Sequence, residues 1–319
     1  MRFLYFGNLH PFSQLLLLAF VGVASMLFFF LLSSVLAVPL FGVPFGSLQP
    51  DMENIPYLKF SQAFQSVGMF VAPAFAAAWL FSDTETNRIS SYLNLRKDLN
   101  LKIFGLVTLV LLASIPLIGV LGKYNAALNL PESFNALETS LKTMEDAARK
   151  ITEMFLITDS SVAFAVNLLI VALIPAVGEE LFFRGTVQRI FLSWFKNPHI
   201  AILVASAVFS FIHFQFYGFV PRLVLGMVFG YMFFWSKNIW YPIIAHFLNN
   251  AIGVTAYFYY DELKNSTFGG QFDSTDTTVS LNELAFALLC AAVVVALLLR
   301  LRKVHALSEV ENPKIEASI

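Results

Sequence analysis

Long stretches without a single charged side chain set the terms on which this chain can fold. No Asp, Glu, Lys or Arg occurs between Arg2 and Asp51, from Phe60 to Ser82, from Ile103 to Gly122, or from Ser160 to Gly178. The same holds from Asn197 to Pro221, from Ile239 to Tyr260 and from Leu284 to Leu299. A helix needs roughly 20 mainly apolar residues to cross the hydrocarbon layer of a bilayer, and most of these windows suffice. Soluble domains carry about 25% charged residues, whereas this chain carries 13%. An all-α, polytopic membrane bundle follows, with residues 1–319 forming one integral membrane domain surrounded by membrane lipids.

Eight spans are expected, near residues 13–38, 61–81, 102–122, 160–180, 199–217, 219–236, 238–260 and 281–301. The first is too long and unbroken for the h-region of a signal peptide, so a retained helix is expected in preference to cleavage near Ala37. The fourth continues as one long helix to about Phe195 and stops at Asn197-Pro198, since the residue before a proline is pushed out of helical geometry. Gly226 and Gly230 form a GxxxG pair in the sixth span, a pattern that lets helices approach closely. Between spans three and four, residues 123–159 are polar. Leu137, Leu141, Met144, Ala148, Ile151 and Phe155 recur there at steps of three and four, as in an amphipathic helix outside the hydrocarbon layer. The acidic segment 261–283 reads as an exposed loop.

With eight spans the termini share a side, and the termini together with the even-numbered connections hold most of the 20 Lys and Arg residues. Positively charged loops stay inside, so both termini are expected in the cytoplasm of a multi-pass protein of the cell membrane. A net charge of −1 without a basic block offers nothing to nucleic acid. The single Cys290 rules out an intrachain disulfide and any two-cysteine metal or redox motif.

Charged groups at membrane depth cost roughly 2.5–3.5 kcal/mol each on insertion scales, so they need a reason. Three clusters stand out: Glu179-Glu180 with Arg184 where the fourth apolar run ends, His213 in the fifth span, and His246 with Asn250 in the seventh. Glu180 and Arg184 are four residues apart and share a helix face. Glu179 is turned about 100° from Glu180, toward other helices. His246 and Asn250 make one polar stripe. Counting residues along the spans puts Glu179 and His213 at similar depth and leaves His246 roughly 12 Å off. A carboxylate, two imidazoles and a carboxamide in a dry cavity form a hydrolytic set: the carboxylate can take a proton from water, and the other groups can bind a carbonyl and its oxyanion. Glu179, His213 and His246 equally resemble the ligand set of a divalent metal such as zinc. Each group alone has a blander reading: an ion pair closing a helix end for Glu180 and Arg184, an interhelical hydrogen bond for either histidine.

Taken in order, Glu179-Glu180-Leu181-Phe182-Phe183-Arg184, then Phe209 to His213, then His246 to Asn250, the sequence resembles the CPBP family, the CAAX proteases and bacteriocin-processing enzymes. That family is marked by EExxxR, FxxxH and HxxxN on separate membrane helices. The resemblance covers about residues 160–260 and implies an intramembrane endopeptidase with its catalytic core there, acting on a membrane-associated peptide or protein, lipidated or not. It further implies that Glu179 activates the water, that His213 and His246 complete the site, that Asn250 helps hold the oxyanion, and that Glu180 and Arg184 support that geometry. Members are described both as glutamate-dependent and as metal-dependent. Two other classes compete: a transporter with a proton or ion relay through the same groups, and a catalytically silent bacteriocin self-immunity protein.

Overall fold

The computed structural model describes residues 5–45, 54–83, 88–96, 99–158, 160–259 and 277–311. Most of the acidic 261–283 segment lies outside them. Within them the chain is helical and has no strand. The helices are α1 (Pro11–Phe41), α2 (Ile55–Phe81), the short α3 (Arg88–Tyr92), α4 (Leu101–Ala126), α5 (Asn135–Leu156), α6 (Ser161–Phe195), α7 (Pro198–Phe211), α8 (Phe219–Ser236), α9 (Trp240–Phe258) and α10 (Leu281–Glu311).

Each of the eight expected spans falls on a helix, but six of these helices are long and apolar enough to cross a membrane: α1, α2, α4, α6, α10, and α8 with the 3₁₀ turn Phe216–Gly218 before it. The 14 residues of α7 rise only about 21 Å. In α9 the apolar run is broken by His246, Asn249 and Asn250. Among the described residues, helix length and apolarity thus support six crossings and do not confirm the count of eight. The protein is a multi-pass membrane protein, and Phe20, Phe28 and Leu16 of α1 face outward, as lipid contact requires.

Two of the long helices contain wide π turns directly before a proline: Val67–Val71 before Pro73, and Leu168–Leu173 before Pro175. Proline brings no N–H and its ring strikes the carbonyl four residues back; one widened turn removes the clash. In the first turn the N–H of Ala72 pairs with Val67 O, five residues back. The same register would pair Gly68 O with Pro73, which has nothing to donate. Ser25 of α1 supplies the missing donor through its hydroxyl. A third π turn, Phe183–Val187, follows the paired glutamates. Thr186 Oγ1 donates there to Leu181 O, five residues back, at 3.4 Å, and Gly185 lies where a Cβ would meet Leu93 at 2.9 Å.

Lys196, in the left-handed region (φ 54°), closes α6, and Asn197 caps α7 by accepting from His199 N and Ile200 N. The α6–α7 hairpin thus ends where the Asn197-Pro198 pair leads one to expect. One apolar core joins α1, α2, α3, α6 and α7, and a second joins α4, α8, α9 and α10. Glu179, Glu180 and Arg184 lie on α6, His213 follows the end of α7, and His246 and Asn250 lie on α9. The GxxxG face of α8 lies on α7: a Cβ on Gly226 would meet Ser206 Cβ at 3.1 Å, and one on Gly230 would meet Ile202 Cγ2 at 2.8 Å. The polar segment before α6 contains α5, whose buried end (Phe155, Leu156) packs toward α6 and α9.

Candidate active site

Glu179 and Glu180 sit on the last turns of the regular stretch Ile174–Phe182 of α6, and both are buried, at 9% and 0% exposure. Glu180 Oε1 accepts from Arg184 Nη1 at 2.9 Å, the intrahelical pair that the four-residue spacing foretells. The same oxygen also accepts from His246 Nδ1 of α9 at 2.8 Å, a contact between helices that spacing alone gives no sign of. Glu180 Oε2 is buried and has no hydrogen-bond partner. Arg184 Nη2 donates onward to Gly226 O of α8 at 3.0 Å. Its guanidinium stands 4.9 Å from the ring centre of Phe209 and 5.7 Å from that of Phe229, a cation–π setting suited to a buried charge.

Glu179 points away from this pair, as its rotation around the helix requires. Its Oε2 stands 3.8 Å from His246 Nε2. The His246 ring stacks on Phe229 at 5.1 Å and takes the edge of Phe209 at 6.2 Å. His246 is therefore fixed on both faces and at Nδ1, with Nε2 alone turned to Glu179. Asn250 stands one turn further along the same face of α9, and its Oδ1 accepts from Asn249 Nδ2 at 3.2 Å.

His213 occupies a different position from the one expected of a residue deep in a span. Helix α7 stops at Phe211, and His213 lies half-buried in the turn beyond it, where Phe214 has a positive φ of 52°. Its Nδ1 donates to Phe209 O at 2.8 Å, and its ring meets Phe209 edge-on at 5.0 Å. Phe209 thus stands beside both imidazoles, and His213 lies past the end of its helix and not within a full-length span.

The turn carrying His213 is held from several sides. Asn125, buried at the end of α4, donates to Phe216 O at 3.0 Å and accepts from Val220 N at 2.7 Å. Ser210 Oγ donates to Phe219 O at 2.7 Å. Arg222 donates to Gln215 Oε1 at 2.9 Å, and its guanidinium lies over Gly218, where a Cβ would require it to move. Sequence reading missed Asn125, Gln188, Arg222 and the glycine carbonyls. The GxxxG pair was the one available signal for the last of these.

Because carbonyl and carboxylate oxygens only accept, Nδ1 carries the proton in both His213 and His246. In the neutral ring Nε2 is then an acceptor, and it becomes a donor only in the imidazolium. Among the described residues no three His, Cys, Asp or Glu side chains are grouped so as to hold a metal ion. The bond from His213 Nδ1 to Phe209 O leaves its Nε2 lone pair free, as the bond to Glu180 does for His246, the arrangement that metal-ligating histidines also adopt.

Residues 161–252 match the family described as type II CAAX prenyl endopeptidase Rce1-like. That match is confined to residues 161–252. The matched stretch runs from the start of α6 through α7 and α8 to Ile252 in α9, and so contains all seven residues of the three motifs. The chain is also 28% identical over 90 residues to the uncharacterized protein YpbD of Bacillus subtilis (strain 168). That similarity covers 27% of this chain and 43% of YpbD, less than half of that relative's length. No solved structure gives a significant match.

Proposed function

We propose that this protein is an intramembrane endopeptidase that hydrolyses a peptide bond of a membrane-associated peptide or protein, with residues 160–260 as its catalytic core. The observation that carries the reading is the pairing of Glu179 Oε2 with His246 Nε2 across two helices. Their 3.8 Å separation is too long for a direct hydrogen bond and suits one water bonded to both.

In this reading the water donates one hydrogen to Glu179 and the other to His246 Nε2. Glu179 takes the proton as the water oxygen attacks the scissile carbonyl carbon. The carbonyl oxygen becomes an oxyanion, which the amide of Asn250 stabilises as a donor. When the tetrahedral carbon collapses, the C–N bond breaks and the proton on Glu179 passes to the leaving amine. His213, with Nε2 as an acceptor, holds an N–H of the substrate backbone. Glu180 and Arg184 orient His246 and do not touch the substrate. No step runs through a metal: cleavage should survive chelator treatment, and loss of cleavage that added zinc restores would favour the metal-dependent alternative. Both termini lie in the cytoplasm, which leaves α5 on the opposite face of a cell membrane.

The test is cleavage of bilayer-anchored reporter peptides by the reconstituted protein. General-base catalysis contributes about 10²–10⁴-fold, so Glu179→Gln is expected to lower the rate by at least about a hundredfold. Equal rates for both proteins would remove Glu179 from the chemistry. Proton flux lost in the variant without any proteolysis by the wild type would move the protein to the transporter class.

A further inference from the structure

Two side chains of α6, one helical turn apart, reach backbone carbonyls of α8 that are also one turn apart. Arg184 Nη2 donates to Gly226 O at 3.0 Å, and Gln188 Nε2 donates to Gly230 O at 3.2 Å. All four residues are buried. Glycine lets the helices come this close: a Cβ on Gly226 would press on Ser206 and Phe209 of α7, and one on Gly230 would press on Ile202 of α7 and stand 2.9 Å from Gln188 Oε1 of α6. The two rungs differ in what lies behind them. Gln188 has no further link toward the acidic pair. Arg184 passes its other nitrogen to Glu180 Oε1, and Glu180 Oε1 fixes Nδ1 of His246.

The geometry points to Gly226 as a positioning residue of the site: its carbonyl sets the Arg184 guanidinium, and through Glu180 it sets the tautomer and aim of His246. The consequence for catalysis rests on the endopeptidase reading; the consequence for the histidine does not. Without the Gly226 bond, Arg184 has one anchor fewer, Glu180 Oε1 shifts with it, and the proton of His246 is no longer confined to Nδ1. A few tenths of an ångström suffice, because Nε2 has to meet the same water as Glu179. The interface shows where to apply the displacement: a Cβ on Gly226 would meet Ser206 Cβ at 3.1 Å and Phe209 Cδ1 at 3.3 Å, and so would move α8 from α7.

Gly226→Ala, Gly230→Ala and Gly226→Ala/Ser206→Gly are compared in ¹⁵N-histidine-labelled full-length protein, with the His246 signal assigned by its loss in His246→Gln. Wild type should show the Nδ1–H tautomer of His246. Gly226→Ala should lose that signature and lower kcat about tenfold with KM within twofold, and Ser206→Gly should restore both. Gly230→Ala strains the same interface at least as tightly; it should lower thermal stability but keep the tautomer and the kcat per folded molecule. The inference is overturned if Gly226→Ala keeps tautomer and kcat, if Gly230→Ala loses both alike, or if Ser206→Gly restores neither. Should the wild type cleave nothing while the tautomer still follows Gly226, the endopeptidase reading fails and the positioning role stands.

Discussion

Replacing Arg184 by Met tests the buried ion pair directly. Arg184 is 2% exposed and Glu180 is 0% exposed, so neither charge has water to fall back on. The substitution keeps the length and apolar stem of the side chain and removes its two charge-assisted bonds, to Glu180 Oε1 and Gly226 O. It leaves Glu180 with His246 alone, and with an Oε2 that already has no partner. Removing one member of a buried pair costs about 3–5 kcal/mol, because the remaining charge is uncompensated, whereas replacing both by neutral groups is often near neutral. Arg184→Met is therefore expected to lose about 3–5 kcal/mol, and Arg184→Met/Glu180→Gln to regain most of it, a coupling of at least about 2 kcal/mol between the sites. Unfolding by SDS in mixed micelles reads this through Cys290, which is buried and the sole cysteine, and which reacts with a thiol dye only as the bundle opens. A loss below about 1 kcal/mol for Arg184→Met, or single losses that simply add, would refute the picture of a dry, mutually dependent pair.

Three further outcomes are expected. Asn125→Ala should cost about 1–3 kcal/mol, since Val220 N and Phe216 O lose their partner; the same substitution loosens the turn that carries His213, so peptide cleavage should fall several-fold as well. Ser25→Ala should cost about 0.6 kcal/mol, the average for a hydrogen bond between membrane helices, by leaving Gly68 O without its donor; the Cys290 labelling assay reads it. Tyr92, in the short helix between α2 and α4, is held up to about 12 from its ordinary value of 10.0, by burial first and against the nearby Arg189 cation. A raised folded-state value means that the stability it contributes is complete below pH 10 and is lost as pH rises toward 12. Tyr92→Phe should remove that part of the alkaline fall, and an identical fall in both proteins would count against it.

The helices were legible because their causes are local. Uncharged windows set the spans, and Asn197-Pro198 set the α6–α7 turn; Glu180 and Arg184 met because four residues is one turn. The failures arose where a local rule gave way to a tertiary one. The sequence around His213 reads as a span because it is apolar throughout, yet α7 ends at Phe211, and the turn is stabilised by Asn125, which is distant in sequence. The π turns before Pro73 and Pro175 have a visible cause in the prolines. The one at Phe183–Val187 has no proline, and its marks are a back-bonding Thr186 and the close approach of Leu93 to Gly185.

The contact between Glu180 and His246 shows why composition reveals such a site more readily than its wiring. A lone carboxylate and a lone imidazole at membrane depth are each expensive, so their presence on separate spans signals that they meet something. Which partners meet depends on helix rotation and on where two helices touch, and a single sequence fixes neither. The structure divides the labour between adjacent acids. Glu180, facing α8 and α9, commits its one bonded oxygen to Arg184 and His246; Glu179, a little over a quarter of a turn away, has no such bond and faces Nε2 of the imidazole that its neighbour holds. In the proposed mechanism the pair EE works because 100° of rotation sends one acid into the scaffold and leaves the other free to take a proton.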